Sequence, residues 1–239
     1  MQKTIKIKTK DKFFIYGDLL SASNPANKLV IFCHGFTGNR NEHIHFNGAQ
    51  YFTKKGLDTF RFSFYSDEKG ARHFEQTKIS QHGEDITTVV NYFSKKYKKI
   101  YLIGHSFGGT SLLFADQSKV SAMVFWDASY MDSTNKIELT YNKAKAVHTV
   151  DWGMTVIVGK IFAEELSRFP DCGELVKKIY APVKFISAGN SGVADSKKYF
   201  DNANNPKSLV VIKGADHNFN NPESEQKLFE ETYDWVKKY

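Results

Sequence analysis

The stretch GHSFGG at residues 104–109 constrains the fold of this chain more than any other feature. It follows a short apolar run, 100–103, and leads at once into a helical pattern. The order G-x-S-x-G between a strand and a helix is typical of a sharp turn with the serine at its tip. Glycines on either side relieve crowding where the helix passes the strand. The pattern therefore predicts a sheet edge beyond which the Ser106 hydroxyl projects, although an ordinary glycine-rich turn is the alternative.

The rest of the chain alternates apolar runs with helical patterns. Two runs near the amino terminus, 5–7 and 13–19, predict a β-hairpin. Further strands are predicted at 28–33, 57–64, 100–103, 119–127, 182–189 and 208–214, and helices at 46–55, 84–97, from 107 onward and at 224–238. This alternation indicates an α/β fold with a mostly parallel central sheet and helices on both faces. We expect one domain over residues 1–239.

Residues 127–180 interrupt this rhythm. The segment is long, has no obvious strand of the sheet and contains DWGMTVIVGKIFAEELSRF at 151–169. We interpret residues 128–180 as a small, mainly helical cap-like insertion over the carboxyl edge of the sheet. A separate domain is disfavoured because about fifty residues make a poor independent core.

Composition and charge narrow the possible partners and locations. The net charge of +7 comes mainly from lysines in small groups, without a recognised nucleic-acid-binding motif, so we expect no nucleic-acid partner. No stretch approaches the roughly 20 apolar residues of a membrane span, and the amino terminus lacks the apolar core of a signal peptide. We therefore expect a cytoplasmic protein. His43 and His45 form an H-x-H pair without an evident third ligand, so we expect no metal site.

Two further motifs accompany the serine turn. His34 and Gly35 directly follow the buried run at 28–33, and the backbone N–H of Phe36 is expected to converge with that of Phe107 on a developing oxyanion. His217 follows the last predicted strand and precedes the terminal helix. That is the position of the general base in hydrolases with this nucleophile turn.

The segments HGFTGNRNEHIHF (34–46), GHSFGG (104–109) and KGADHNF (213–219) together resemble those of α/β-hydrolases. Among these, they most resemble small bacterial esterases of the cinnamoyl- or feruloyl-esterase-like branch. The resemblance extends from the first strands to the last helix. It implies a serine esterase that acts on small-molecule carboxylic esters, with Ser106 as nucleophile and His217 as base. It also implies a Ser-His-acid triad without a metal or an organic cofactor.

The acid of that triad is open between two residues. The family usually carries an aspartate in the loop after the strand at 182–189, but the expected position, near Ser191 and Gly192, has no carboxylate. Asp195 lies a few residues later, and Asp127 ends the preceding strand. We favour Asp127 slightly, because a strand end fixes a side chain better than a glycine-rich loop. Asp195 would then cap the helix that follows it.

His45, Trp126 and Trp152 are the candidates for the substrate pocket, which we expect to accept a short, medium or aryl-acyl group. Two other functions remain open. Thioester or peptide hydrolysis uses the same machinery, since the triad serves all acyl transfers. A non-catalytic binding protein is the alternative that the missing acid suggests. We expect a monomer or a homodimer.

Overall fold

The computed structural model describes residues 1–24, 26–133, 137–151 and 155–239. Its strands are β1 (Gln2–Lys8), β2 (Phe14–Leu20), β3 (Lys28–Cys33), β4 (Asp58–Ser63), β5 (Lys99–His105), β6 (Ala122–Trp126), β7 (Thr140–Asn142), β8 (Val147–Asp151), β9 (Thr155–Val158), β10 (Val183–Ala188) and β11 (Lys207–Ile212). Its α-helices are α1 (His43–Lys54), α2 (Ile79–Phe93), α3 (Phe107–Leu112), α4 (Lys160–Leu166), α5 (Cys172–Val176), α6 (Val193–Asn202) and α7 (Pro222–Val236).

An eight-stranded sheet in the order β1-β2-β4-β3-β5-β6-β10-β11 carries the fold. The strands from β4 to β11 in this order pair in parallel, whereas β1 pairs antiparallel with β2 and β2 antiparallel with β4. The predicted α/β architecture, with its amino-terminal hairpin, is confirmed. Parallel strands end at the same edge, so the loops after β3, β5, β6, β10 and β11 meet there.

Helices cover both faces of this sheet, and β3 illustrates the arrangement. Val30 and Phe32 belong to the core shared with α1 and α7, whereas Leu29, Ile31 and Cys33 belong to the core shared with α2, α3 and α6. A strand buried on both faces appears in the sequence as a continuous apolar run, which is why this strand could be predicted. Among the described residues, no helix has the length and apolar character that a membrane crossing requires.

The insertion is not mainly helical, so that part of the sequence prediction is wrong. Strands β7, β8 and β9 form a separate antiparallel sheet, and the short helices α4 and α5 follow it. The β9 sequence TVIV is rich in β-branched residues, which favour strands. A short apolar run of this kind cannot be distinguished from a buried helix by periodicity alone.

The insertion is joined to the body of the domain at the start of α2. The Glu165 carboxylate of α4 accepts hydrogen bonds from the backbone N–H groups of Ile79, at 2.6 Å, and Ser80, at 3.1 Å. These are N–H groups that a helix start leaves without an intrahelical partner. Elsewhere in the insertion, Ile137 and Val156 line a cavity that Ser106 also lines. The insertion thus forms one wall of that cavity.

Candidate active site

Ser106 occupies the sharp turn between β5 and α3. Its φ of 54° and ψ of −124° are uncommon for a residue with a side chain and are costly unless the surroundings enforce them. The flanking glycines allow this turn. A Cβ atom on Gly104 would lie 2.6 Å from the Gly108 backbone, and one on Gly108 would lie 2.1 Å from the Cys33 carbonyl oxygen. The sequence pattern of the turn therefore has a direct steric cause.

His217 follows β11 and faces the Ser106 hydroxyl. The distance between His217 Nε2 and Ser106 Oγ is 3.0 Å. The ring is 43% exposed and opens toward the cavity. Two groups that lie 111 residues apart in the chain are therefore in hydrogen-bonding contact at the carboxyl edge of the sheet.

Asp127 lies directly after β6 and contacts the other nitrogen of the same ring. Its Oδ2 atom is 2.7 Å from His217 Nδ1, and its side chain is 1% exposed. A carboxylate only accepts hydrogen bonds, so Nδ1 carries the proton and Nε2 is left to accept one from Ser106. Ser106, His217 and Asp127 thus form one continuous hydrogen-bonded series.

The end of β10 and the loop after it surround the Asp127 carboxylate. The backbone N–H of Ala188 donates to Oδ1 at 2.8 Å, and the Ser191 hydroxyl donates to Oδ2 at 2.8 Å. Gly192 provides space, because a Cβ there would lie 1.8 Å from Oδ1. Buried carboxylates need such donors, since desolvation without them is costly. Sequence reasoning missed this role of Ser191 and Gly192, although it noted that neither is a carboxylate.

Asp195 lies elsewhere on the wall of the cavity. It sits in the first turn of α6, which begins at Val193 with Gly192 as its N-cap, so the prediction that Asp195 caps a helix following it is wrong. Its Oδ2 atom accepts a hydrogen bond from the backbone N–H of Tyr130 at 3.2 Å. Burial raises the pKa of this carboxyl above its ordinary value. The structure thus brings Asp127, not Asp195, to the His217 ring.

Phe36 and Phe107, the predicted oxyanion residues, lie next to each other beside the serine. Their ring centroids are 5.5 Å apart, and both residues line the cavity that contains Ser106. The loop that joins β3 to Phe36 passes close to the turn at Ser106. A Cβ atom on Gly35 would lie 3.1 Å from Ser106 Cβ.

The cavity around Ser106 has a volume of about 500 Å³. Met131, Ile137 and Val156 give one part of its wall an apolar character. Glu42 and Asp195 place two carboxylates on the wall, and no lysine or arginine of the described residues lines it. The cavity is therefore acidic, although the chain as a whole has a net charge of +7.

Two of the predicted pocket residues are core residues instead. His45 is 1% exposed and stacks on Trp126, with ring centroids 6.3 Å apart. Trp126 is fully buried and donates its indole N–H to Thr232 Oγ1 at 2.8 Å. Successive strand residues point to opposite faces, which directs Trp126 toward α7 and away from the cavity. Trp152, the third predicted residue, lies outside the described residues.

Two other histidines shape the site from within the protein. His105 Nε2 donates to the His217 carbonyl oxygen at 2.8 Å, and burial lowers the pKa of His105 to about 3. His34 Nε2 accepts from the Phe64 backbone N–H at 3.0 Å, and burial lowers its pKa to about 4. Both rings are therefore neutral supports of the loops. The role of His105 was missed by sequence reasoning.

The described residues contain no group of three or more histidine, cysteine, aspartate or glutamate side chains arranged to hold a metal ion.

A family model described as the alpha/beta hydrolase fold matches residues 28–171, more than half of the chain. The chain belongs to the α/β-hydrolase fold family. The matched region begins with β3 and includes the Ser106 turn and Asp127. Comparison with curated proteins found no match.

Several solved structures are similar to this chain over almost its whole length. Est1E from Butyrivibrio proteoclasticus, solved with bound ferulic acid, has a TM-score of 0.83 at 20% identity and covers 98% of both chains. The esterase domain of a Rhodothermus marinus protein has a TM-score of 0.76 at 22% identity and covers 100% of this chain and 99% of its own. An esterase from Pyrococcus furiosus has a TM-score of 0.74 at 19% identity, with 100% and 91% covered. At these identities the likeness establishes the fold.

Proposed function

We propose that this α/β-hydrolase is a serine esterase that cleaves small carboxylic esters. Ser106 is the nucleophile, His217 is the general base, and Asp127 orients the His217 ring and stabilises its cation. The observation that supports this most is the hydrogen-bonded series Ser106–His217–Asp127, with distances of 3.0 Å and 2.7 Å. A nucleophile, a base and an orienting group in this arrangement are the requirements of nucleophilic acyl transfer.

The reaction proceeds through an acyl-serine intermediate. Ser106 Oγ attacks the ester carbonyl carbon while its proton moves to His217 Nε2. His217 then donates this proton to the leaving alcohol as the carbon–oxygen bond breaks. A water molecule then attacks the acyl carbon while His217 takes its proton, and His217 returns that proton to Ser106 Oγ as the bond between Oγ and the acyl carbon breaks and the acid leaves. Throughout, Asp127 keeps the proton of Nδ1 in place.

The backbone N–H groups of Phe36 and Phe107 bind the oxyanion that forms in each half of this reaction. Support comes from the close approach of Gly35 to Ser106, which puts the next residue of that loop beside the nucleophile. Phe107 adjoins Ser106 in the chain itself. One such donor contributes about 100- to 1,000-fold to the rate.

The size and charge of the cavity narrow the substrate class. A volume of about 500 Å³ with an apolar part suits a short, medium or aryl-acyl group. Burial alone would raise the pKa of Glu42, but His45, 3.2 Å from its Oε2 atom, holds that pKa below its ordinary value. An ionised carboxylate on the wall repels anions, so simple neutral esters are favoured over acyl-CoA thioesters with their phosphates.

A non-catalytic binding role loses its main support in this geometry. It rested on the missing acid in the loop after β10, and Asp127 stands within hydrogen-bonding distance of the His217 ring. Thioester or peptide hydrolysis remains an alternative on the same groups, because the attack on a carbonyl is common to all three reactions.

Steady-state hydrolysis of p-nitrophenyl acetate, butyrate and octanoate, of methyl ferulate and of acetyl-CoA tests the proposal. We expect turnover of at least one ester and at least 10-fold lower kcat/KM for acetyl-CoA. Ser106→Ala, with its fold checked by circular dichroism, is expected to lose this turnover. Equal rates in wild type and Ser106→Ala would refute the serine mechanism, and a higher kcat/KM for acetyl-CoA would support a thioesterase.

A further inference from the structure

A second hydroxyl group touches the proposed nucleophile. Ser129 Oγ lies 3.3 Å from Ser106 Oγ, and Ser129 lines the same cavity. Ser129 is two residues beyond Asp127, in the loop that follows β6. The same loop therefore delivers one group to His217 and another to Ser106.

Several hydrogen bonds fix the backbone of Ser129 at this place. Its carbonyl oxygen accepts from the Thr110 hydroxyl at 2.7 Å and from the Tyr199 hydroxyl at 2.7 Å. Its N–H donates to the Ser106 carbonyl oxygen at 3.3 Å. Thr110 and Tyr199 are fully buried, so these contacts are shielded from water. These buried hydrogen bonds thus fix the backbone of Ser129 beside Ser106.

The direction of the contact between the two hydroxyls follows from the rest of the series. Asp127 accepts the proton on His217 Nδ1, so Nε2 accepts the proton of Ser106. Ser106 has only this one proton, and its oxygen is left to accept a further hydrogen bond. Ser129 is therefore the donor to Ser106 Oγ.

We propose that Ser129 is a further catalytic residue, whose hydroxyl stabilises the negative charge that develops on Ser106 Oγ. This inference rests on the proposed function. Charge develops on that oxygen when its proton leaves for His217, and again when its bond to the acyl carbon breaks. Ser129 keeps its own hydroxyl proton in both steps, because the proton that moves is exchanged between Ser106 Oγ and His217 Nε2.

The length of the contact is what makes it useful for catalysis. A distance of 3.3 Å is longer than the usual 2.7–2.8 Å between hydroxyl oxygens, so the contact is weak in the resting protein. It becomes stronger as the acceptor gains charge. An interaction that strengthens toward the transition state raises kcat, whereas one of constant strength lowers only KM. A hydrogen bond to a charged acceptor corresponds to about 10- to 100-fold in rate.

Ser129→Ala tests the inference, with Ser118→Ala as the matched control. Ser118 is exposed and lies in the turn before β6, at the opposite edge of the sheet. Two rates are measured for each variant: fluorophosphonate labelling of Ser106, followed by intact mass, and turnover of p-nitrophenyl acetate. We expect Ser129→Ala to lower the labelling rate and kcat about 10- to 100-fold with KM within about 3-fold of wild type. Ser118→Ala is expected to match wild type.

A third variant, Ser129→Cys, distinguishes an effect of losing the hydrogen-bond donor at position 129 from an effect of losing side-chain packing there. Ser129→Cys keeps nearly the same volume with a much weaker donor, so its labelling rate should fall close to that of Ser129→Ala. This variant also tests the inference if Ser129→Ala does not fold. Wild-type labelling rates in folded Ser129→Ala or Ser129→Cys would overturn the role of Ser129 alone. Failure of wild-type protein to label at Ser106 would instead overturn the proposed function.

Discussion

The segments that follow β6 and β10 each carry an aspartate at the same edge of the sheet, Asp127 directly after β6 and Asp195 in the first turn of α6, but the two side chains have different surroundings. Asp127, after β6, is 1% exposed and is bound by His217 Nδ1, the Ala188 N–H and the Ser191 hydroxyl. Asp195, after β10, contacts the Tyr130 backbone N–H instead. The difference shows that a position at the edge of the sheet is not enough to bring a carboxylate into contact with the His217 ring.

Donors and free space decide which carboxylate reaches the histidine. The loop after β10 offers a hydroxyl at Ser191 and leaves room at Gly192, where a side chain would overlap the Asp127 carboxylate. The segment after β6 therefore supplies the proposed acid, Asp127, and the end of β10 with its following loop supplies hydrogen bonds and space for it. Asp127 is therefore held in place by residues of the neighbouring strand and loop.

Of the substitutions that test this comparison, Asp127→Asn is expected to cause the largest loss of activity. Asparagine keeps the size of the side chain and tolerates the φ of 40° at this position. It cannot keep the proton on His217 Nδ1 as a carboxylate does, so we expect kcat to fall about 10,000-fold. Steady-state ester hydrolysis measures the effect. A loss of less than 10-fold would show that Asp127 is not the acid of the site.

Gly192→Ala should have the second largest effect, because it closes the space that the acid occupies. A Cβ atom 1.8 Å from Asp127 Oδ1 forces the carboxylate to move. A misplacement of about 1 Å in an active site costs about 100-fold in rate. The double variant Asp127→Asn/Gly192→Ala provides the control. If Gly192 acts through Asp127, the double variant is no slower than Asp127→Asn, whereas multiplied losses would contradict that route.

Ser191→Ala removes one hydrogen bond from the Asp127 carboxylate and leaves the Ala188 N–H in place. A hydrogen bond to a charged group contributes about 1.5–3 kcal/mol, and the carboxylate is still held by its remaining donors. We therefore expect kcat to fall about 10-fold, with a small change in KM. An unchanged kcat would mean that the Ser191 hydroxyl does not position the acid.

Asp195→Asn should have the smallest effect of the four. Its amide oxygen can still accept from the Tyr130 N–H, and the change removes only one charge from the cavity wall. We expect kcat/KM for neutral esters to change by about 3-fold or less. A loss as large as that of Asp127→Asn would reverse the comparison and assign the role of the acid to Asp195 at the start of α6.

Much of the fold was predictable because it depends on local patterns. The strand at 28–33 was predicted with its correct bounds, and the positions of Ser106 and His217 after strands placed both at one edge of the sheet, where the structure has them. The choice of acid was not predictable in the same way, since it depends on how the loop around Ser191 packs on Asp127. His45 and Trp126 were misassigned because sequence position near the site does not reveal which face a side chain takes. The insertion was misassigned because its short apolar runs fit a strand or a helix equally.

Intact-mass spectrometry after treatment with a fluorophosphonate probe tests the central claim most directly. The probe requires an activated serine and an oxyanion site but no knowledge of the substrate. We predict a single adduct on wild-type protein, no adduct on Ser106→Ala and much slower labelling of Asp127→Asn than of Asp195→Asn. Folded wild-type protein without an adduct would contradict the claim that Ser106, His217 and Asp127 form a working nucleophilic site.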